Sequence, residues 1–421
     1  MLFKLITSYC FFLFISVNLI AQTDTVVYKL YKDRNQLEYL LNKKLINDKL
    51  SLELSEKTEE DWDAAFFALQ YLNRKDKWVN SRISYAVNEM SKRSNSFNRA
   101  LLELLYAHYP EIYNLEIEKL LPDIKDGKVW AMCAEYLLLT SNKLVRNKIE
   151  KIARARLVNH PENVFYQQVL FSLSPSYTRP EQLAHFLRHD YLPGQVLMFS
   201  FQRINRNYPG LVIIRDSSGN FLKQPSGEYF SVPQLARSLN GLPGYLTNGN
   251  TPQGILRMDG FDVSKAGAIG PTRNVQLSLP FELNTGHFMR DSLLDSVPME
   301  KKYYTQLLPE ELQETESFYQ AFYAGKAGRY DIIAHGTTVR PEYYRGATYY
   351  PFTPTMGCLC TYESWDDSTM LRKESDQQKL IEAIENAGGP FGYAFIIDMD
   401  NKRAPVTLNE ILPLLNAAKN E

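Results

Sequence analysis

A cysteine and a histidine near the end of the chain have the residue types and surroundings of a thiol catalyst. His335 follows the apolar run 331–334 and precedes Gly336, a pattern that predicts a buried strand ending at the histidine. Cys358 follows Gly357 in a stretch interrupted by prolines, which predicts a turn. A free thiol is only slightly ionised at neutral pH, so a neighbouring imidazole must accept its proton before the sulfur attacks a carbonyl. We therefore predict that Cys358 is a nucleophile and that His335 is its general base.

The glycine in this turn also predicts where negative charge would be stabilised. Because glycine has no Cβ, the backbone N–H groups around it can face a ligand. We expect the N–H groups of Met356, Gly357 and Cys358 to hold the oxyanion that forms during the attack.

The cysteines allow other interpretations. Cys358 is compatible with the commoner role of cysteine as a small buried residue. A disulfide between Cys358 and Cys360 would be strained and reducible. A zinc site needs four ligands in paired spacings, and no second Cys/His pair is present, so we predict no metal and no other cofactor. Cys133 lies in a helical pattern and is expected to be buried and inert.

Three separated pieces of the C-terminal half carry a family resemblance. His335-Gly336, the run Thr355-Met356-Gly357-Cys358 and the upstream segment 250–254 (Asn-Thr-Pro-Gln-Gly) resemble, in this order, the catalytic domain of L,D-transpeptidases, the YkuD-like fold. Those enzymes cross-link or trim bacterial peptidoglycan. The resemblance implies that the Gly336 carbonyl orients His335 and that segment 250–254 lies beside the active-site cleft.

The sequence departs from the family pattern at two positions beside the cysteine. The family usually has a histidine directly before the Gly-Cys pair and an arginine two residues after the cysteine. This chain has Met356 and Cys360 at those positions. The usual arginine helps to shape the substrate pocket, so the resemblance places Cys360 in that pocket, with Thr355 beside it.

Two arginines are candidates to bind a substrate carboxylate. Arg273 and Arg340 could each make a two-pronged guanidinium contact with such a group. The alternative for either residue is an ordinary surface charge.

Composition predicts a globular protein of more than one domain. The chain has 421 residues, with 47 Lys+Arg against 48 Asp+Glu, so no global charge favours nucleic acid or anionic lipid. From about Leu37 to Leu173, apolar residues recur every three or four positions, which predicts helices. Ala65, Ala100 and Ala131 recur at intervals of 35 and 31 residues, close to the length of a helix-pair repeat. We predict an irregular all-α array.

Prolines and glycines between residues 174 and 194 mark the domain boundary. We predict a helical domain over residues 22–190 and a mostly β, L,D-transpeptidase-like catalytic domain over residues 194–421. Apolar runs predict strands at 196–201, 211–214, 275–279, 332–334 and 393–397, and helical segments at 232–239, 310–323 and 375–387.

The first 21 residues have the features of a secretory signal peptide. Lys4 precedes an apolar run up to Ile20, and the chain turns polar after Ala21. No later run is long enough for a transmembrane helix, so we expect an exported protein, periplasmic or associated with the cell envelope.

The function predicted from these features is cysteine acyl transfer on peptidoglycan stem peptides, by transpeptidation or by carboxypeptidase action. The alternative is a catalytically inactive cell-envelope binding or scaffold protein whose helical domain binds a protein partner.

Overall fold

A computed structural model describes residues 30–175, 180–264, 269–337, 341–366 and 371–419. The predicted signal peptide and Arg340 lie outside these residues. The described chain consists of an N-terminal helical region and a β-rich domain with a closed eight-stranded barrel. Within these ranges no helix is both long enough and apolar enough to cross a membrane.

The helical region is a layered array. Alternate helices α2, α4, α6 and α8 contact one another in succession and form an inner row. Ala65, Ala100 and Ala131 lie on the first three of these helices, which explains their regular spacing. The helices are α1 Leu30–Tyr39, α2 Glu59–Leu72, α3 Lys77–Glu89, α4 Asn95–His108, α5 Asn114–Leu120, α6 Gly127–Leu137, α7 Lys143–Asn159 and α8 Val164–Leu173, with a π-helical segment at Leu40–Lys49.

Polar side chains define where these helices begin. The residue before the helix accepts a backbone N–H of the first turn in α3, α4, α6, α7 and α8, which satisfies a donor that the helix itself leaves unpaired. These capping residues are Asp76, Ser94, Asp126, Asn142 and Asn163.

The barrel has the strand order β1-β10-β4-β5-β6-β7-β3-β2, closed between β2 and β1. The pairs β1/β10 and β6/β7 are parallel, and the other neighbours are antiparallel. The barrel strands are β1 Val196–Arg203, β2 Gly210–Arg215, β3 Val232–Leu235, β4 Gly254–Asp262, β5 Asn274–Ser278, β6 Ile332–Gly336, β7 Leu359–Thr361 and β10 Phe391–Asp400; β8 Glu363–Trp365 and β9 Arg372–Ser375 form a separate pair.

Short helices complete the β-rich domain. The α-helices are α9 Thr285–Met289, α10 Lys301–Thr305, α11 Gln320–Lys326, α12 Asp376–Asn386 and α13 Leu408–Ala417. The 3-10 segments among the described residues are Met90–Lys92, Pro180–Leu187, Ser292–Leu294, Glu310–Leu312, Glu316–Tyr319 and Pro341–Tyr344.

All five predicted strands are present, but one helical prediction was wrong. The segment 232–239 is predicted to be helical, yet its first four residues form β3. Residues Val232–Leu235 pair with β2 on one side and β7 on the other, and these ladders close the barrel. A four-residue apolar pattern does not distinguish a strand from a helix, so the choice is made by these partners. The predicted helix at 375–387 is α12.

Two apolar clusters lie on opposite sides of the barrel wall. The interior cluster draws residues from all eight strands, and α12 packs Leu380, Ile381 and Ile384 into it. The outer cluster covers β1, β2, β4 and β10 with α13 and the segment Pro180–Leu187. The segment Pro180–Leu187 lies within the range predicted for the helical domain, but it packs on the barrel.

The barrel inserts one of its loops into the helical region. We call residues 239–250 the docking loop. Leu242, Tyr245 and Leu246 of this loop belong to the apolar core of the helices. The Tyr245 hydroxyl donates to Glu135 of α6 at 2.8 Å. Asn248 donates its side-chain amide to Glu103 of α4 at 3.0 Å. The inner row of helices thus holds a loop that belongs to the β-rich domain.

Glu135 makes this contact sensitive to pH. Burial raises the pKa of Glu135 to about 7, although Ser172 and Tyr245 donate hydrogen bonds to its carboxyl group. The folded protein therefore binds more protons than the unfolded chain between about pH 4.5 and pH 7. Stability falls as pH rises through this window, by at most about 1.4 kcal/mol per pH unit for one group.

We predict that Glu135→Gln reduces the loss of stability between pH 5 and pH 7.5, because the amide keeps the acceptor oxygen and does not ionise. Urea unfolding at several pH values measures this slope. Glu150→Gln is the control, because Glu150 lies on α7 in an exposed pair with Arg154. Equal slopes in Glu135→Gln and the parent protein would contradict the prediction.

Candidate active site

His335 is held in one orientation on the outer face of β6. Ile332 and Ala334 point into the barrel interior, so the alternation along the strand puts His335 on the other face. Its side chain is buried, and Nδ1 lies 2.7 Å from the Gly336 carbonyl oxygen. A carbonyl oxygen only accepts hydrogen bonds, so Nδ1 carries the proton and Nε2 is left with a free lone pair.

The environment of His335 keeps its ring neutral. Burial lowers the pKa of His335 to about 4, and the hydrogen bond to Gly336 only partly opposes this effect. At neutral pH the ring is therefore an uncharged imidazole, and Nε2 is the nitrogen that can accept a proton.

Gly357 and Thr355 shape the turn that carries Cys358. Gly357 has φ +103°, in the left-handed region that favours glycine. The Thr355 hydroxyl accepts the Gly357 N–H at 3.0 Å and donates to the Cys358 carbonyl at 2.8 Å. Because this hydroxyl both accepts and donates a hydrogen bond within the turn, Thr355 positions the turn. The Gly357 N–H already donates to this hydroxyl. Of the three N–H groups predicted to hold an oxyanion, those of Met356 and Cys358 therefore remain as candidates.

Cys358 directly precedes β7, and extending the register of β6 and β7 by one residue predicts that it lies on the same face as His335. His335 of β6 is level with Cys360 of β7, and Cys358 lies two residues before Cys360. The spacing of parallel strands then puts the Cα atoms of His335 and Cys358 roughly 8 Å apart. This separation suits contact between an imidazole and a thiol.

The Cys358 thiol is neutral and partly exposed. Its S–H group lies 3.7 Å from the Asp331 carbonyl oxygen, which is an acceptor at sulfur hydrogen-bond distance. Burial raises the pKa of the Cys358 thiol; the Ile333 N–H and Arg329 oppose the rise, and the Asp331 carboxylate adds to it. The pair is therefore a neutral thiol with a neutral imidazole, and attack requires proton transfer from one to the other.

A buried arginine joins the Cys358 turn to the docking loop. The Arg329 side chain is buried, and its guanidinium donates to four backbone carbonyls: Gly244, Asn250 at 2.6 Å, Gly249 at 2.7 Å and Gly357 at 3.1 Å. The segment 250–254 also contacts the turn directly, because the Thr251 hydroxyl donates to the Gly357 carbonyl at 3.0 Å. The position of this segment beside the predicted nucleophile was implied by the resemblance.

The remaining predicted pocket residues have other surroundings. Cys360 is completely buried with Leu235 and Phe352, and burial raises the pKa of its thiol to about 12, so it does not line a substrate pocket here. Arg273 forms an ion pair with Glu385 at 2.8 Å, which agrees with the surface-charge alternative. Arg340 lies outside the described residues.

Sequence reasoning missed three residues that organise this site. Arg329 and Gln377 belong to no motif, and Asp331 was counted only as part of the apolar run 331–334. Gln377 of α12 donates to the Ala334 carbonyl at 2.9 Å and accepts from the Thr361 hydroxyl at 2.6 Å. It thereby ties β6 to β7 beside His335, and only the packing of α12 reveals this role.

A separate cavity lies on another side of the docking loop. It measures about 300 Å³ and is lined by Tyr106, Arg206, Gly244, Thr251 and Asp398, among others. Neither Cys358 nor His335 contributes to its lining. Among the described residues no group of three or more His, Cys, Asp or Glu side chains is arranged to hold a metal ion.

Comparisons with known proteins found no match to this chain. No family model matches the chain, and no curated protein or solved structure matches it either.

We predict that Gly357→Ala destabilises the protein by more than the cost of a left-handed alanine, which is about 1–2 kcal/mol. A Cβ at this position would lie 2.0 Å from Arg329 Nη2 and 2.5 Å from the Gly249 carbonyl oxygen. Gly227→Ala is the matched control, because Gly227 has φ +89° and no atom within 4 Å of such a Cβ. Chemical denaturation gives both free energies of unfolding. Equal losses would show that the contact with Arg329 is unimportant.

Proposed function

We propose that the protein is an exported cysteine acyltransferase of the L,D-transpeptidase type, acting on peptidoglycan stem peptides. The observation that carries this proposal is the arrangement of His335 and Cys358. The Gly336 carbonyl fixes the tautomer of His335 on β6, and Cys358 follows a glycine turn directly before β7, the strand that pairs with β6. This arrangement supplies a base and a nucleophile for acyl transfer. The peptidoglycan substrate and the export of the chain rest on the resemblance and on the first 21 residues.

The first half-reaction forms a thioester. His335 Nε2 takes the thiol proton, and the Cys358 sulfur attacks the carbonyl between the third and fourth residues of a stem peptide. The N–H groups of Met356 and Cys358 stabilise the oxyanion. The imidazolium then gives its proton to the departing amine, so the amide bond breaks and a D-amino acid leaves.

The second half-reaction regenerates the thiol. An amine of a second stem peptide, or water, loses a proton to His335 and attacks the thioester. Collapse of the intermediate breaks the bond to sulfur, and the proton returns to Cys358. Attack by an amine gives a cross-link, whereas attack by water gives carboxypeptidase activity.

One observation favours the alternative of an inactive scaffold. The Cys358 S–H group faces the Asp331 carbonyl, and the pKa of the thiol is raised by burial, so the thiol rests in an unreactive state. The inner row of helices also already holds the docking loop, and this occupancy limits what a protein partner could bind there. The experiment below distinguishes a resting nucleophile from an inert one.

We predict that a disaccharide-tetrapeptide leaves a mass adduct on Cys358 equal to the donor without its terminal residue. Intact-protein mass spectrometry detects the adduct, and amino-acid analysis detects the released D-amino acid. Cys358→Ser should abolish both signals, whereas Cys360→Ser should retain them because Cys360 is fully buried. Reduced protein that gives neither signal with a range of stem peptides would favour the scaffold.

We predict that His335→Ala slows acylation at pH 7 by roughly a hundredfold to ten-thousandfold, the usual contribution of a positioned general base. Because His335 is neutral above about pH 4, the parent rate should change little between pH 5.5 and pH 8. The variant should depend on the ionised thiol alone, so its rate should rise about tenfold per pH unit. His160→Ala, at an exposed position after α7, is the control. A variant rate that does not depend on pH would contradict this role.

A further inference from the structure

Arg329 is a buried charge whose hydrogen-bond partners are backbone carbonyls. The other buried arginines on the barrel include Arg203, paired with Asp400 and Glu410, and Arg206, paired with Asp398. Within the described ranges, Arg329 hydrogen-bonds only to carbonyl oxygens and forms no ion pair with a carboxylate. Carbonyl dipoles satisfy the N–H groups, but they leave the net charge in a medium of low polarity.

The turn that Arg329 binds is the one that carries the Cys358 thiol. Its guanidinium donates to the carbonyl of the preceding residue, Gly357, and Nη2 occupies the space that a Cβ on Gly357 would take. The charge of Arg329 lowers the pKa of Cys358, and the ionised form of Cys358 in turn raises the pKa of Arg329, which burial lowers.

We infer that Arg329 holds the Cys358 turn against the docking loop and is the counter-charge of the Cys358 thiolate. It is a positioning residue, because its bonds are to the backbone of the turn and the loop. The inference rests on the proposed role of Cys358 as nucleophile.

The other groups around the thiol do not supply this charge. Asp331 is negative and raises the pKa of Cys358, and His335 is neutral above about pH 4. Cys360 is un-ionised, because burial raises the pKa of its thiol to about 12. The docking loop presents carbonyl groups to Arg329. Arg329 is therefore the positive group that bears on ionisation of the thiol.

The test is the rate of Cys358 alkylation by iodoacetamide as a function of pH, which needs no peptidoglycan. In Arg329→Met the midpoint of the profile should move up by about one pH unit or more, so the rate at pH 7 should fall roughly tenfold or more. Arg329→Lys keeps the charge but cannot reach four carbonyls, so it should restore most of the midpoint while lowering the melting temperature.

Arg215→Met is the matched control. Arg215 is also buried and donates to backbone carbonyls, those of Arg188, Tyr191 and Leu192, without a carboxylate bond among the described residues. This variant should lose stability and leave the alkylation midpoint unchanged. A folded Arg329→Met protein with the parent midpoint would overturn the inference, as would the same midpoint shift in Arg215→Met.

A second comparison works even if Arg329→Met does not fold. Cys358→Asp and Cys358→Asn have the same shape and differ in charge beside Arg329. The aspartate variant should melt at or above the temperature of the asparagine variant at pH 7, and a clearly lower temperature would overturn the inference. Neither test uses a substrate, so the inference and the proposed function can fail separately. A shifted midpoint without a stem-peptide adduct would support the role of Arg329 and contradict the proposed function.

Discussion

The Arg329 guanidinium is the interaction on which the arrangement of the candidate site depends. A planar group with five N–H donors can bond several carbonyls at once, and here it joins three carbonyls of the docking loop to the carbonyl of Gly357. Gly357 must be glycine both for its backbone conformation and for the close approach of this guanidinium. The turn that presents Cys358 therefore has its shape set by a residue almost thirty positions away in sequence.

The helical region supports the same arrangement through its contacts with the docking loop. Glu103 and Glu135 bind the docking loop, whose carbonyls bind Arg329. The inner helices thus support the site through a continuous series of hydrogen bonds and apolar contacts.

The site itself is uncharged at rest, because burial disfavours the charged forms of both His335 and Cys358. The two side chains therefore do not form a permanent ion pair.

Much of the local structure could be predicted from the sequence. Apolar periodicity located the helices, and apolar runs located five strands, because amphipathic packing imposes these patterns whatever the tertiary partners are. The pieces His335-Gly336 and Gly357-Cys358 indicated the candidate dyad for a similar local reason: a strand end and a glycine turn are encoded by neighbouring residues. In the structure β6 pairs in parallel with β7, and His335 Nδ1 lies against the Gly336 carbonyl oxygen, while the catalytic role of the two residues stays a prediction.

Tertiary structure decided what depends on residues far apart in the chain. The segment 232–239 had a helical pattern, but barrel closure makes part of it a strand, since pairing with β2 and β7 satisfies more backbone groups than an isolated helical turn. Cys360 was placed in a pocket by resemblance, and packing against Leu235 and Phe352 buries it instead. The sequence by itself determined the chemical groups and the elements that carry them. Which groups face each other, and that Arg329 holds the turn of Cys358, follow only from the folded chain, because burial and hydrogen-bond partners are properties of the whole packing.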